Sequence, residues 1–421
     1  MQIQTILQAT WLLALSHFTQ AASFTIANAN VIDVTTGKIQ QQQDVVIQND
    51  KIASIQAAGK NANAKAAGKN ATAKADNNVF DASGLFLMPG FSDMHIHAYF
   101  TNDASKFAAT DNATFPAFIA NGVTHVRDLG SNFDAVLSAQ KRINAKQLVG
   151  PRISSTSGPI LDGPKTPFQT VEKIQSQDDA DSVVNELSNG GADFIKVHLK
   201  LDQDAFQAIA SACTENNIPF GGHVPDSIDV ETAVKAGMTI FEHMSRIQTN
   251  DDVDLIGGNN FIATCTLVQG ATDNRKKLCR SLHEKGTQVL SGTDAPQGPG
   301  LCPGPSLHRE LELMASSGIS NLEVLQATTI NAAKAVGLDS QIGTVEVGKA
   351  ADLVMLSKNP LDNIQNTRSV AAVVANGALF SSDDLQQLSK SANVVKTLPF
   401  ACGDKKAQKL AARTAVTCCS V

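Results

Sequence analysis

Residues 91–100 read FSDMHIHAYF and follow directly on the turn-forming pair Pro89-Gly90. Ser92–His97 has the character of a short strand. The period of two in a strand sends His95 and His97 to the same side. Neutral imidazole is a common zinc ligand, so two of them at one strand end can begin a metal site. Packed and surface histidines also occur as HxH pairs, so the meaning of this one depends on whether the rest of the chain supplies partners.

Working outward from that strand, strand-like and helix-like stretches alternate from Gly90 onward. That is the pattern of a parallel sheet rather than a bundle or sandwich. The predicted strands are Ser92–His97, Val123–Arg127, Arg152–Thr156, Phe194–His198, Pro219–His223, Thr239–His243, Ile262–Thr266 and Gln288–Asp294. Amphipathic helical stretches such as Asp202–Asn216 and Asn274–Glu284 lie between most of them, and Pro305–Ser317 and Asn321–Gly337 read as further helices. Eight strand–helix units over this length predict an α/β fold, a TIM-like (β/α)8 barrel. Residues 24–55 and 343–380 instead carry antiparallel β patterns, the second with an Asn376-Gly377 turn. Both ends are expected to combine into one small flanking β-domain. The boundaries predicted are a leader at 1–22, β-domain segments at 23–88 and 341–382, the barrel at 89–340, and a cysteine-containing tail at 383–421.

With 421 residues, 43% hydrophobic and 18% charged, the chain can bury a large core. A net charge of -6 and the lack of a basic stripe argue against nucleic-acid binding. Trp11 and Tyr99 are the only residues of their types, which argues against aromatic stacking on a polymer. Residues 1–22 hold an apolar stretch around Trp11–Leu15 and small residues at Ala21-Ala22, the pattern of a cleaved secretion leader, although its start lacks Lys or Arg. It is too short to span a membrane comfortably, and no membrane association is expected of the remainder. A secreted, soluble mature protein is predicted.

Seven cysteines fit an oxidising compartment. Cys265, Cys279 and Cys302 are near one another in sequence, Cys402, Cys418 and Cys419 cluster in the tail, and their connectivity is open. Asn70 and Asn112 head acceptor sequons for glycosylation. AAGKNANAK (57–65) is followed at once by AAGKNATAK (66–74), a tandem copy that cannot pack a core and reads as an exposed loop.

Five of the predicted strands end in a polar residue suited to binding metal: His95 with His97, then Lys196, His223, His243 and Asp294. Barrel chemistry sits at the C-terminal mouth of the strands, whereas strand interiors are filled by aliphatic side chains. Taken singly, His223 suits a loop, His243 a satisfied core position and Asp294 a cap. Together, at matching strand ends, they favour one shared site.

The chain resembles the amidohydrolase superfamily, metal-dependent hydrolases on a (β/α)8 barrel with a flanking β-sandwich. The motifs that carry the resemblance are LMPGFSDMHIH, GVTHVRDLG, GADFIKVH, FGGHVP, AGMTIFEHM, LSGTDAP, SLHRELELM with ATTINAAKAVGL, and IGTVEVGKAADLVML, between about residues 24 and 380. Within the superfamily the chain is most similar to the imidazolonepropionase-like and prolidase-like branch. The stretch from Phe241 to Leu290 is shorter than is usual there.

The resemblance implies two divalent metal ions, zinc by the nitrogen and oxygen donors, with manganese or cobalt as alternatives. His95, His97 and Asp294 would hold one and His223 and His243 the other, with Lys196 bridging them as a CO2-derived carbamate. An ordinary ammonium has no acceptor and repels a dication. Lys200 is the weaker candidate for the bridge. A water held between two zincs ionises near neutral pH, and Asp294 would take its proton. Tyr99, Arg127, His198 and His308 are candidate substrate contacts, an arginine being suited to a carboxylate, whereas His125 reads as packing. The expected activity is hydrolysis of an amide bond in a small molecule, a dipeptide or N-acyl amino acid. A lactone or cyclic amide is the alternative substrate, and an inactive binding module the non-enzymatic one. A homo-oligomer is left open.

Overall fold

A computed structural model describes residues 23–59, 78–168, 170–298 and 300–394. The leader, the Asn70 sequon with most of the 57–74 repeat, and the cysteines of the tail lie outside the described residues.

Numbered in chain order, β1 (Ser23–Ile32), β2 (Ile39–Gln48), β3 (Lys51–Ala57), β4 (Val79–Asp81) and β5 (Phe86–Pro89) open the chain. The barrel strands follow: β6 (Phe91–Ile96), β7 (Val123–Asp128), β8 (Arg152–Thr156), β9 (Ile160–Asp162), β10 (Val171–Lys173), β11 (Ile195–Val197), β12 (Phe220–Gly222), β13 (Ile240–Glu242), β14 (Ile262–Thr264) and β15 (Gln288–Leu290). The last three are β16 (Leu353–Leu356), β17 (Val370–Ala375) and β18 (Ala378–Phe380).

Both chain ends build one sheet, in the order β18-β17-β16-β5-β1-β2-β3, with β4 beside β1. The expected Asn376-Gly377 turn closes the β17–β18 hairpin, both residues at positive φ. In β16, Leu353 and Met355 face the sheet's own core with Ile26, Val45 and Val374, whereas Val354 and Leu356 face the barrel core with Phe91 and Val373. A strand covered on both faces reads as an unbroken apolar run, which is why LVML shows no alternation. Gly90 joins sheet to barrel at a point where a Cβ would lie 2.1 Å from the Thr124 hydroxyl oxygen, so a larger residue cannot make the passage.

The barrel is made of parallel ladders β6-β7-β8 and β10-β9-β11-β12-β13-β14-β15. It closes where Met94 N donates to Ser291 O and His97 N to Ala295 O. On the other side Asp193, just ahead of β11, ties to β8 through Thr156. All eight predicted strands are present, and β9 and β10 are an addition from the loop after β8. The later strands are shorter than expected because the chain curls inward at their ends, His243 and Asp294 both adopting positive φ.

The stretch Asn321–Gly337 is not one helix but two, Asn321–Ala327 and Ile330–Ala335. Thr328 turns inward to donate its hydroxyl to Ser92 O, and Ser92 N donates to Thr328 O, so β6 takes the groups that a continuous helix would use. The tail begins with the helix Ser382–Val394, whose Leu385 joins the barrel core. Among the described residues no helix is long and apolar enough to cross a membrane.

Candidate active site

The mouth of the barrel gathers a row of imidazoles. Ring centroids lie 5.3 Å apart for His97–His95, 4.4 Å for His95–His243, 4.5 Å for His243–His223 and 4.4 Å for His223–His198. Asp294 closes the row, its Oδ1 2.8 Å from His97 Nε2 and 3.2 Å from His95 Nε2. It reaches them because the chain leaves β15 and folds over β6: Asp294 N donates to His95 O at 2.7 Å, and a Cβ on Gly292 would lie 2.8 Å from that of His95. Lys196 is buried beside them, and its side chain crosses Gly222, where a Cβ would come within 2.7 Å of Lys196 Cδ.

Hydrogen bonds behind the rings fix their tautomers. His97 Nδ1 can only donate to the Gly130 carbonyl (3.0 Å), and His95 Nδ1 donates to the ionised Glu242 carboxylate (2.6 Å). Thr266 Oγ1 spends its hydrogen on Cys265 O, so it accepts from His243 Nδ1 at 2.9 Å. Each ring is left with its Nε2 lone pair, the state a metal ligand needs. Burial, aided by neighbouring positive groups, pushes His223 and His243 well below the ordinary histidine range, which keeps them neutral. For Asp294 burial acts upward, but a proton at His95 or His97 Nε2 would bond its carboxylate and outweigh burial, lowering the carboxyl; a divalent ion takes the place of that proton when the Nε2 atoms carry lone pairs.

His95, His243 and Asp294 present ligand atoms within 4.8 Å of one another, all buried. Lone pairs and a carboxylate converging without a donor repel one another, and a dication between them turns that repulsion into binding. The residues therefore fit a divalent metal.

The sequence overlooked the support behind this set. Glu242 is fully buried, accepts from His95 Nδ1, and pairs with Arg127 Nη2 at 2.5 Å. Attraction to Arg127 and His95 outweighs burial and lowers its carboxyl to about 2. Asp128 accepts from Ala98 N and Ser131 Oγ and so shapes the turn after His97, while Asp93 accepts from Thr293 N and Oγ1 beside Asp294. Gln269 Nε2 donates to Asp294 Oδ2. A signal existed for three of these: Asp93, Asp128 and Glu242 are carboxylates within strands of a barrel, whose buried positions tolerate a charge only with partners.

The cleft is lined by His97, Lys196, His198, His223, His243 and Asp294, with Phe100, Ile160, Phe168 and Gln297 facing them. Of the four expected substrate contacts, His198 lies in it, its Nδ1 donating to Asp162 at 2.9 Å. The other three do not line it. Tyr99 donates its hydroxyl to Asp111 and packs on Phe107 and Phe115. Arg127 is spent inside the barrel on Glu242, Met94 O and Thr264. His308 is buried against Phe91 with Nδ1 on Thr367. Lys200 points elsewhere, paired with Asp226 at 3.0 Å. His125 is a buried partner of Asp352 at 3.3 Å, and Asn112 is exposed. Cys265 and Cys279 form a disulfide, Cys302 is also disulfide-bonded, and Cys213 is a buried free thiol.

The sequence profile of the amidohydrolase family matches residues 86–380, and the chain belongs to that family. It is 33% identical to an imidazolonepropionase of Fusobacterium nucleatum over 130 residues, 30% of each chain. The chain thus spans less than a third of the length of the first curated relatives it matches. Among solved structures, a candidate prolidase from Bifidobacterium longum superposes with a TM-score of 0.70 at 25% identity, covering 88% of this chain and 99% of that one. A Xaa-Pro dipeptidase with methionine bound in its active site gives 0.69 at 20% identity, over 86% of this chain and 100% of the other.

Proposed function

We propose that this protein is a secreted hydrolase that uses two divalent metals, zinc by the donor set, to cleave an amide bond in a small peptide or N-acyl amino acid. The observation that carries the reading is the buried meeting of His95, His243 and Asp294, with His97, Lys196 and His223 lining the same cleft. His95, His97 and Asp294 would hold one ion and His223 and His243 the other, with Lys196 between them as a carbamate. Bound there, divalent metal polarises a carbonyl and makes water acidic enough to attack near neutral pH.

The chain's own residues do the rest. Asp294, ionised and held at Oδ2 by Gln269, accepts a proton from the attacking water and returns it to the departing nitrogen. His198, steadied by Asp162, presents Nε2 to the cleft as a neutral acceptor for a substrate N–H. Phe100, Ile160 and Phe168 give the facing wall an apolar character, which suits a hydrophobic side chain next to the scissile bond. With Arg127 spent inside the barrel, a substrate carboxylate has to find its partner elsewhere. The leader at 1–22, the segment boundaries at 89, 341 and 383, and glycosylation at Asn70 and Asn112 belong to the same proposal.

The test is metal analysis of the purified protein, followed by a panel of dipeptides, N-acyl amino acids and lactones on the zinc-loaded enzyme. The proposal expects zinc at about two per chain and turnover of amides. Preferential turnover of lactones would replace the amide reading, and protein that binds no divalent metal would overturn it.

A further inference from the structure

Five consecutive residues after β14 touch two of the metal-binding side chains and are themselves fastened from two helices. Thr266 Oγ1 accepts from His243 Nδ1, and Gln269 Nε2 donates to Asp294 Oδ2. Behind them, Cys265 is joined to Cys279, on the helix Asp273–Glu284, by a disulfide. Arg275, from the same helix, donates Nη2 to Cys265 O at 2.9 Å and to Thr266 O at 3.3 Å. Glu310, fully buried on the helix Pro305–Ser316, accepts from Leu267 N at 2.9 Å and Val268 N at 2.7 Å. The fastening answers a local need: Thr266 sits at φ 44° and ψ 48°, left-handed backbone that a β-branched residue adopts unwillingly.

From this arrangement we infer that residues 265–269 are a positioning element for the hydrolytic site, with Thr266 and Gln269 as its positioning residues and Glu310 and the Cys265–Cys279 disulfide as its anchors. The inference rests on the hydrolase reading and adds to it. One turn sets both the tautomer of His243 and the rotation of the Asp294 carboxylate, so the ligand set is assembled only when that turn is locked. The chain thereby couples the site to disulfide formation: a thiol pair at 265 and 279 leaves Thr266 free to relax toward an ordinary conformation, which withdraws its hydroxyl from His243. Glu310 acts by the same route from the opposite side. Its carboxylate faces two backbone N–H groups, with Arg275 as the nearby cation and Asp93 as the nearby acid.

The experiment compares the full-length wild type with Cys265→Ala/Cys279→Ala and with Glu310→Gln, using Asp352→Asn as a control that weakens the fold far from the mouth. Zinc affinity is measured by titration of metal-stripped protein against a competing chelator, and kcat and KM on an amide substrate of the zinc-loaded enzyme, at a temperature where circular dichroism shows every variant folded. Zinc affinity is expected to fall about tenfold to a hundredfold in both site variants, as for loss of groups that orient ligands. kcat is expected to fall by at least about tenfold, with KM changing far less, since small misplacements of reacting groups are costly. Asp352→Asn should keep both parameters.

Site variants that match wild type in zinc affinity and kcat would overturn the inference, as would an equal loss in Asp352→Asn, because the effect would then be general loosening. Should Glu310→Gln fail to fold, Glu310→Asp and Gln269→Ala carry the same comparison, the latter read in kcat alone. A wild type that binds zinc but hydrolyses no amide would overturn the hydrolase proposal while leaving the affinity arm to decide this one.

Discussion

Replacing Glu242 with Gln keeps the shape of a fully buried side chain and removes its charge. Two separate consequences can be worked from the structure. Arg127, fully buried in the barrel, loses its counter-ion and keeps only neutral acceptors: the amide oxygen of the new side chain, Met94 O at 2.8 Å and Thr264 Oγ1 at 3.2 Å. A buried cation stranded in this way costs about 3–5 kcal/mol, a large part of the stability of an ordinary domain. His95 loses the carboxylate that fixes its tautomer and raises its basicity, which typically lowers metal affinity about tenfold to a hundredfold. Urea denaturation of metal-stripped protein reads the first consequence, and zinc titration against a chelator reads the second. The double variant Arg127→Met/Glu242→Gln separates them. With both charges gone much of the stability should return, because no charge is left buried without its counter-ion. Zinc affinity should stay low, since His95 still has no carboxylate behind it. The reasoning is refuted if Glu242→Gln stays within about 1 kcal/mol of wild type, below what any stranded buried charge costs, and binds zinc equally well.

The other predictions are briefer. Lys196→Ala should lose metal and activity, with partial return of both when a small carboxylic acid is added; full occupancy without it would remove Lys196 as the bridge. Asp294→Asn should retain metal yet lose most of its turnover, and an unchanged kcat would show that the proton passes through another group. Asp352 ties the flanking sheet to the barrel through Arg152 Nε at 2.7 Å and Asn376 N at 2.6 Å. Burial acts upward on its carboxyl, but Arg152 and His125 outweigh burial and hold it well below the usual range. A lowered carboxyl stabilises fully above its unfolded value of roughly 3.9 and loses that contribution as pH falls toward the folded one. Asp352→Asn should therefore cost about 2–4 kcal/mol at pH 7. The gap between the two proteins should hold down to about pH 5 and narrow only below about pH 4. A gap that had already closed at pH 5 by urea unfolding would contradict the assignment.

How much of this was written in the chain can be followed residue by residue. His95, His97, Lys196, His223, His243 and Asp294 were legible because strands alternate and barrels expose their C-terminal ends, two local rules that turn positions in sequence into positions on a rim. The same rules located the eight strands and the two β segments that pair across the whole length of the chain. Arg127 shows where they stop. Its strand was right, yet an interior guanidinium and a cleft-facing one look alike in sequence, and only the packing of Glu242 and Thr264 against it decided which it is. The break at Thr328 was hidden for a similar reason, since its partner Ser92 lies 236 residues away.

Periodicity and strand ends, then, fixed the architecture and the row of polar side chains at its mouth, because both depend on spacing along one segment. What holds those side chains was settled in three dimensions: Glu242 behind His95, Thr266 behind His243, Gln269 behind Asp294, and Glu310 behind the turn that carries the last two. These pairs join residues 20 to 150 positions apart. The free energy that selects them is the cost of burying a polar atom unpaired, which has a value only once the rest of the chain has closed around it.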